Sequence, residues 1–267
     1  MAKTKRPVVL TIAGSDNSCG AGAQADLKTF SAHECYGLTA ITCVVAEVPG
    51  KVKSIQAVNP EILRDQIDLL LKAFPVAAVK TGMLYSADLI EVAASALQAG
   101  KKRGRFLVVD PVMVATSGAR LLQENAVEDY KRKLFPLADL VTPNLDELCI
   151  LAGVKRIDNL EEMKEAGRKL VALYGCAFLL KGGHLKSKFA TDVLITKEEE
   201  CVYSLPFIKG VKTHGTGCTY AAAIASNLAK KIPLADAVAN GKRYITAAIQ
   251  QHLSWGSTQA LEHFPEF

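Results

Sequence analysis

No stretch of this chain is apolar for the roughly 20 residues that a bilayer-spanning helix needs, so no transmembrane helix and no membrane partner are expected. The apolar run Val8–Ala13, after the basic Met1–Pro7, is too short for a signal-peptide core and ends in Gly14-Ser15-Asp16. The seven cysteines, at 19, 35, 43, 149, 176, 201 and 218, are odd in number and hold no C-x-x-C pair. A disulfide scaffold is therefore not expected, and a reduced, cytoplasmic setting is. The five histidines show no metal-ligand spacing, so no zinc site is expected. Aromatics make up only 6% and do not interleave the densest basic cluster, Lys101, Lys102, Arg103 and Arg105. The net charge of +5 thus describes solvated helix ends and not a nucleic-acid face. No G-x-x-x-x-G-K-[ST] sequence occurs, so a P-loop is excluded.

An apolar fraction of 49% can fill a sizeable core without a metal or disulfide staple. Short apolar runs alternate with longer amphipathic ones. Strands are predicted at Val8–Ala13, Thr39–Ala46, Val52–Val58, Ala77–Lys80, Phe106–Asp110, Asp139–Val141 and Cys176–Lys181. Helices are predicted at Ala21–His33, Pro60–Phe74, Ser86–Ala99, Asn125–Leu134, Asn144–Ala152, Leu160–Tyr174, Thr219–Lys230 and Leu234–Leu253. Asp192–Thr196 and Cys201–Leu205 flank a Lys-Glu-Glu-Glu turn and read as an antiparallel hairpin near 190–206. Such alternation predicts an α/β fold with a mainly parallel central sheet. With no linker, repeat or low-complexity stretch, one domain over 1–267 is expected.

Ligands of such sheets bind beyond the carboxyl ends of the strands. Gly14-Ser15-Asp16, Glu47, Thr81-Gly82-Met83, Asp110-Pro111, Asn144 and Lys181-Gly182-Gly183 should share that rim. Lys212-Thr213-His214-Gly215-Thr216-Gly217-Cys218 precedes an alanine-rich helix. Its glycines let backbone N–H groups converge at the positive end of a helix dipole, where an anion is stabilised and a thiol is expected to become more acidic. The plainer reading is a glycine turn at a helix start with Cys218 as a small buried hydrophobe. Asn144-Leu-Asp-Glu147 reads either as a capping box or as a pair holding magnesium through water, with Asp110 nearby. Lys181 suits a point charge over nucleotide phosphates, or a solvated lysine beside a turn. Gly20-Ala-Gly22-Ala-Gln-Ala25 matches a dinucleotide fingerprint, yet Gly14 to Gly20 inserts an extra loop where the first glycine should follow the strand directly.

In chain order, these segments resemble the hydroxymethylpyrimidine/phosphomethylpyrimidine kinase family of thiamin biosynthesis, within the ribokinase-like superfamily. The resemblance rests on Leu-Thr-Ile-Ala-Gly-Ser-Asp (10–16), Gly-Ala-Gly-Ala-Gln-Ala-Asp-Leu-Lys-Thr-Phe (20–30), Lys-Thr-Gly-Met-Leu (80–84) and Val-Val-Asp-Pro-Val-Met (108–113). It continues through Thr-Pro-Asn-Leu-Asp-Glu (142–147), Lys-Gly-Gly-His (181–184) and Thr-His-Gly-Thr-Gly-Cys-Thr (213–219). It implies a three-layer α/β/α fold, a homodimer, and ATP with magnesium. It implies that Cys218 is the catalytic base, that the Gly215, Thr216, Gly217 and Cys218 backbone meets the transferring phosphoryl group, and that Asn144 and Glu147 hold magnesium. Lys181, Asp110 and Thr213 would serve ATP. Asp26, Ala21, Val45, Glu47 and Met83 would line the pocket for a small heteroaromatic alcohol, and Val112–Arg120 would form a flap.

One position departs from the family. Members typically carry Gln-Asn-Thr after the second strand, where the Gln reads the aminopyrimidine edge; this chain has Glu47-Val48-Pro49. An amide both donates and accepts, whereas an ionised carboxylate only accepts. The expected activity is phosphorylation of hydroxymethylpyrimidine and its monophosphate. A pyridoxal or pyridoxine kinase is the alternative within the family, and a non-catalytic metabolite-binding protein is the alternative outside it.

Overall fold

The computed structural model describes residues 6–101, 104–114, 121–123, 126–183, 185, 187–211 and 214–266. Among them, nine strands form the main sheet: β1 (Val8–Asp16), β2 (Tyr36–Val48), β3 (Lys51–Ala57), β4 (Val76–Thr81), β5 (Phe106–Val109), β6 (Leu140–Val141), β7 (Ala177–Lys181), β8 (Phe189–Ile195) and β9 (Glu200–Pro206). Their spatial order is β3-β2-β1-β4-β5-β6-β7-β8-β9. The six strands from β2 to β7 in that order run parallel. Antiparallel strands close both edges, β3 on β2 and the β8–β9 hairpin on β7.

The helices are α1 (Gly22–Ala32), α2 (Pro60–Ala73), α3 (Ala87–Lys101), α4 (Val127–Asp129), α5 (Leu145–Ala152), α6 (Leu160–Tyr174), α7 (Thr216–Ala229) and α8 (Leu234–Gln250). Successive strand residues face opposite sides, so each strand feeds two cores. Leu10, Ile12, Val79 and Val109 join the core under α2, α3, α5 and α6. Val9, Ala78 and Val108 join the core under α1, α7 and α8. Residues Thr219 to Ala229 of α7 are all buried. A helix enclosed on every side belongs in an interior, and its alanines let it lie close on β4 and β5 beneath α1 and α8.

Two predicted elements are corrected. The helix expected at Asn125–Leu134 is a single turn, α4, that widens into a π turn at Tyr130–Leu134 and tightens into a 3-10 turn at Phe135–Leu137; Asn125 itself lies outside the described residues. Pro136 has no N–H with which to continue an α-helix. The fully buried Tyr130 also uses its hydroxyl to donate to the Gly82 carbonyl at 3.1 Å. The last helix stops at Gln250, and the chain then forms a small hairpin of β10 (Leu253–Trp255) and β11 (Thr258–Ala260).

Candidate active site

A cavity of about 400 Å3 opens along the carboxyl ends of the strands, as the parallel topology requires. One end is lined by Ala21, Val45, Glu47 and Met83, the residues expected around the acceptor ring. The other end is apolar, with Phe207, Ile208, Ile245 and Ile249. Lys80, Asp110, Asn144, Glu147, Lys181 and Cys218 lie along the floor between them.

The start of α7 is built around a close approach. Gly215 adopts φ +77°, and any side chain there would collide with the Gly20 carbonyl, so only glycine fits without strain. The first N–H groups of α7 have no intrahelical acceptor and belong to the positive end of the helix. Lys181 Nζ stands 2.9 Å from where a Gly217 side chain would begin, so a lysine and the helix start converge on one place. The β1–α1 loop is held against this turn by Asp16, which is buried. Its Oδ2 accepts from the Gly20 and Ala21 N–H groups at 3.1 and 2.8 Å, and its Oδ1 from Ser18 N–H at 2.7 Å. His214 points at this loop, with Nε2 3.3 Å from Ser18 Oγ and 3.7 Å from Asp16 Oδ2.

Cys218 is half-buried in the first turn of α7. The expectation of an acidic thiol is overturned: burial pushes it up to about 11. Lys80 is the leading opposing influence, and Asp110 and Asp26 reinforce the rise. In this state helix-start amides do not outweigh loss of water.

Asp26 is likewise corrected. It does not face the cavity; it is fully buried, and both its oxygens lie 2.9–3.0 Å from Lys80 Nζ. Thr11 Oγ1 donates to Oδ2 at 2.6 Å. Burial alone disfavours the Lys80 ammonium, but Asp26 and then Cys218 and Asp110 outweigh it and raise its pKa. Removing one partner of such a buried pair typically costs about 3–5 kcal/mol. Lys80 was legible only as a lysine ending an apolar strand; its partner lies 54 residues away.

Asp110 Oδ1 accepts from Lys181 Nζ at 2.8 Å and from Thr142 Oγ1 at 2.9 Å. Burial works against its charge, but Lys181 and Lys80 prevail and hold its carboxyl below the usual range. Asn144 and Glu147 form the capping box at the start of α5. Glu147 Oε1 also accepts from Met113 N–H at 3.3 Å. Burial lifts the Glu147 carboxyl to about 7; Lys181 opposes this and Asp110 adds to it. Burial and then Asp16 lift Glu47 to about 7 as well. Thr213 and residues 115–120 of the expected flap lie outside the described residues, while Val112 and Val114 line the cavity.

A parallel sheet between two helical layers, with a helix start and a lysine converging beyond its strand ends, is the architecture of a ribokinase-like kinase. The chain belongs to the phosphomethylpyrimidine kinase family, whose sequence profile matches residues 16–262. It is 46% identical over 245 residues to the thiamine biosynthesis bifunctional protein ThiED of Geobacter sulfurreducens, which covers 92% of this chain and 49% of that protein. The chain thus spans about half the length of that relative. It is 40% identical over 248 residues to the hydroxymethylpyrimidine/phosphomethylpyrimidine kinase of Escherichia coli, covering 92% of each. The solved structure of an ADP complex of Bacillus subtilis pyridoxal kinase has a TM-score of 0.88 and 35% identity, covering 97% of each chain.

Proposed function

We propose that this chain transfers the γ-phosphoryl group of ATP to the hydroxymethyl group of hydroxymethylpyrimidine, and a further phosphoryl group to the resulting monophosphate, in thiamin biosynthesis or salvage. The observation that carries this reading is the meeting of three features in one cavity: the Gly215–Cys218 helix start, Lys181 against Gly217, and a wall of Val45, Glu47 and Met83.

In this reading the alcohol oxygen attacks the γ-phosphorus in line while its proton passes to the Cys218 thiolate. The bond from phosphorus to the bridging oxygen breaks, and its electron pair leaves on ADP. The Gly215–Gly217 amides and Lys181 meet the charge that spreads over the transferring group. Asp110 holds Lys181 in place for this. Glu147, with Asn144, suits magnesium. A buried carboxyl lifted to about 7 regains its charge beside a cation, and this ion keeps several waters and needs few protein ligands. When bound, magnesium would neutralise phosphate charge.

The test is Cys218→Ala. Turnover should fall about 10²–10⁴-fold, the usual worth of a general base, with ring binding by calorimetry retained. Unchanged turnover would remove Cys218 from the reaction.

A second reading, a pyridoxal or pyridoxine kinase, is favoured by Glu47 and by the likeness to the Bacillus subtilis enzyme. Side-by-side kcat/KM on the pyrimidine and the B6 vitamers separates the two, and a clear B6 preference selects the second. A metabolite-binding protein without catalysis is dismissed by magnesium-dependent ATP consumption with either ring. The same proposal takes 1–267 as one kinase domain, cytoplasmic and homodimeric. An odd cysteine count without a C-x-x-C pair supports the reduced setting, and light scattering checks the dimer.

A further inference from the structure

The proposed chemistry leaves the buried Lys80–Asp26 ion pair without a task. Lys80 lies on the cavity floor, yet it is fully buried and bonded on one side to Asp26. Asp26 is in turn fixed by Thr11. A pair kept only for packing would be replaceable by apolar side chains, often without loss of stability. This pair instead borders the ligand space. A side chain at Gly82 would begin 2.8 Å from Lys80 Nζ.

We propose that Lys80 is a positioning residue of the transfer: Asp26 and Thr11 clamp it so that its ammonium is the fixed countercharge for the Cys218 thiolate. Cys218 stands in the first turn of α7, which packs on β4, the strand that carries Lys80, and both side chains line the cavity. The charges that act on the sulfur are those of Lys80, Asp110, Asp26 from α1 and Lys181 from the end of β7, with the Gly22 backbone as a hydrogen-bond partner. Two lysines and two aspartates cancel while the thiol is neutral. Without Lys80, a thiolate would face two carboxylates with only Lys181, which is already bound to Asp110 at 2.8 Å. Lys80 therefore decides whether the proton acceptor can form. The thiol first loses its proton to water. The resulting thiolate takes the alcohol proton as the oxygen–phosphorus bond forms, and the departing electron pair goes to ADP. The proposal rests on the reading of Cys218 as base, and its test does not use turnover.

The rate of iodoacetamide alkylation at Cys218, read by mass spectrometry on the peptide that carries it, measures thiolate content at a fixed, mildly alkaline pH. In the full-length protein, Lys80→Met should slow this rate about tenfold, which corresponds to one unit of thiol acidity. Asp26→Asn removes a repelling carboxylate and should speed it severalfold. Simple loosening of the site would speed both. Lys80→Met strands a buried carboxylate and can fail to fold, so Asp26→Asn/Lys80→Met, a neutral pair, is compared with Asp26→Asn alone. Slower alkylation in the double variant supports the proposal. Equal or faster alkylation there overturns it. Retained turnover in Cys218→Ala would instead overturn the reading of Cys218 as base and leave the alkylation result standing.

Discussion

The Asn144 N–H donates to Glu147 Oε2 at 2.9 Å, and the Glu147 N–H donates back to Asn144 Oδ1 at 3.0 Å. The two residues suited to magnesium are therefore also each other's helix cap. The structural and the functional readings of this motif are compatible: the cap fixes the carboxyl, and burial disfavours its charge until a cation is beside it.

Glu147→Gln separates these roles. The amide oxygen still accepts from Asn144, so the cap survives. The charge available to a cation does not. The magnesium concentration for half-maximal turnover should rise about 10–100-fold, the usual cost of a lost supporting ligand. A magnesium titration of kcat checks this, and an unchanged midpoint would remove Glu147 from the metal.

A thiol lifted to about 11 gives the reaction an unusual pH profile. If its thiolate accepts the proton, single-turnover rates should rise about tenfold per pH unit through pH 9 without levelling. A plateau near pH 7 would take the base role away from the Cys218 thiol.

What the sequence made legible follows from the range of the interaction. Helix α6 runs from Leu160 to Tyr174 as predicted, because Asn159 caps it and Gly175 ends it, and both signals are local. Strand ends on one rim follow from the alternation of elements. The three turns at 127–137 were not legible, since the pull of Gly82 on Tyr130 acts across 48 residues. The strands β10 and β11, three residues each, are too short to show alternation. Ala21, Val45, Glu47 and Met83 border the cavity, whereas Asp26 and the thiol's acidity were misread. Asp26 turns inward to Lys80, 54 residues away, and burial outweighs the helix-start amides at the thiol; a motif shows neither the partner a buried charge will choose nor how deeply a side chain is buried.

Stability against pH offers an independent check, because two kinds of group oppose each other. His33 and His263 are buried and lowered to about 4, so their stabilisation is complete above about 6.5 and is lost as pH falls through about 4. Glu147 is raised to about 7, so its stabilisation is present below about 4.5 and is lost as pH rises through about 7. Acidification from pH 8 to 5 therefore costs about 2 kcal/mol per histidine and recovers a similar amount at Glu147. In magnesium-free buffer the urea midpoint of Glu147→Gln should fall more steeply over this range than that of the parent chain. Parallel curves would show that Glu147 is already ionised when the site is empty of cation.

Glu47 is where this chain parts from its family, and its environment says how the ring can still be read. The residue lines the ring end of the cavity, its N–H is held by Asn17 Oδ1 at 2.7 Å, and burial followed by Asp16 lifts its carboxyl to about 7. While protonated, it donates to a ring nitrogen and accepts from an exocyclic amine, as an amide does. Above pH 7 it only accepts. The KM for hydroxymethylpyrimidine should accordingly rise about tenfold per pH unit above 7, while the KM for ATP stays level. Glu47→Gln keeps donor and acceptor at every pH, so its pyrimidine KM should be flat from pH 6 to 8.5 and lower than the parent's at the alkaline end. In this reading the effect is confined to the ring, because Glu47 meets the ring and not the phosphates. A parent KM without pH dependence, or a variant that retains it, would mean that another residue meets the amine, and the preferred ring would then be open to the B6 vitamers.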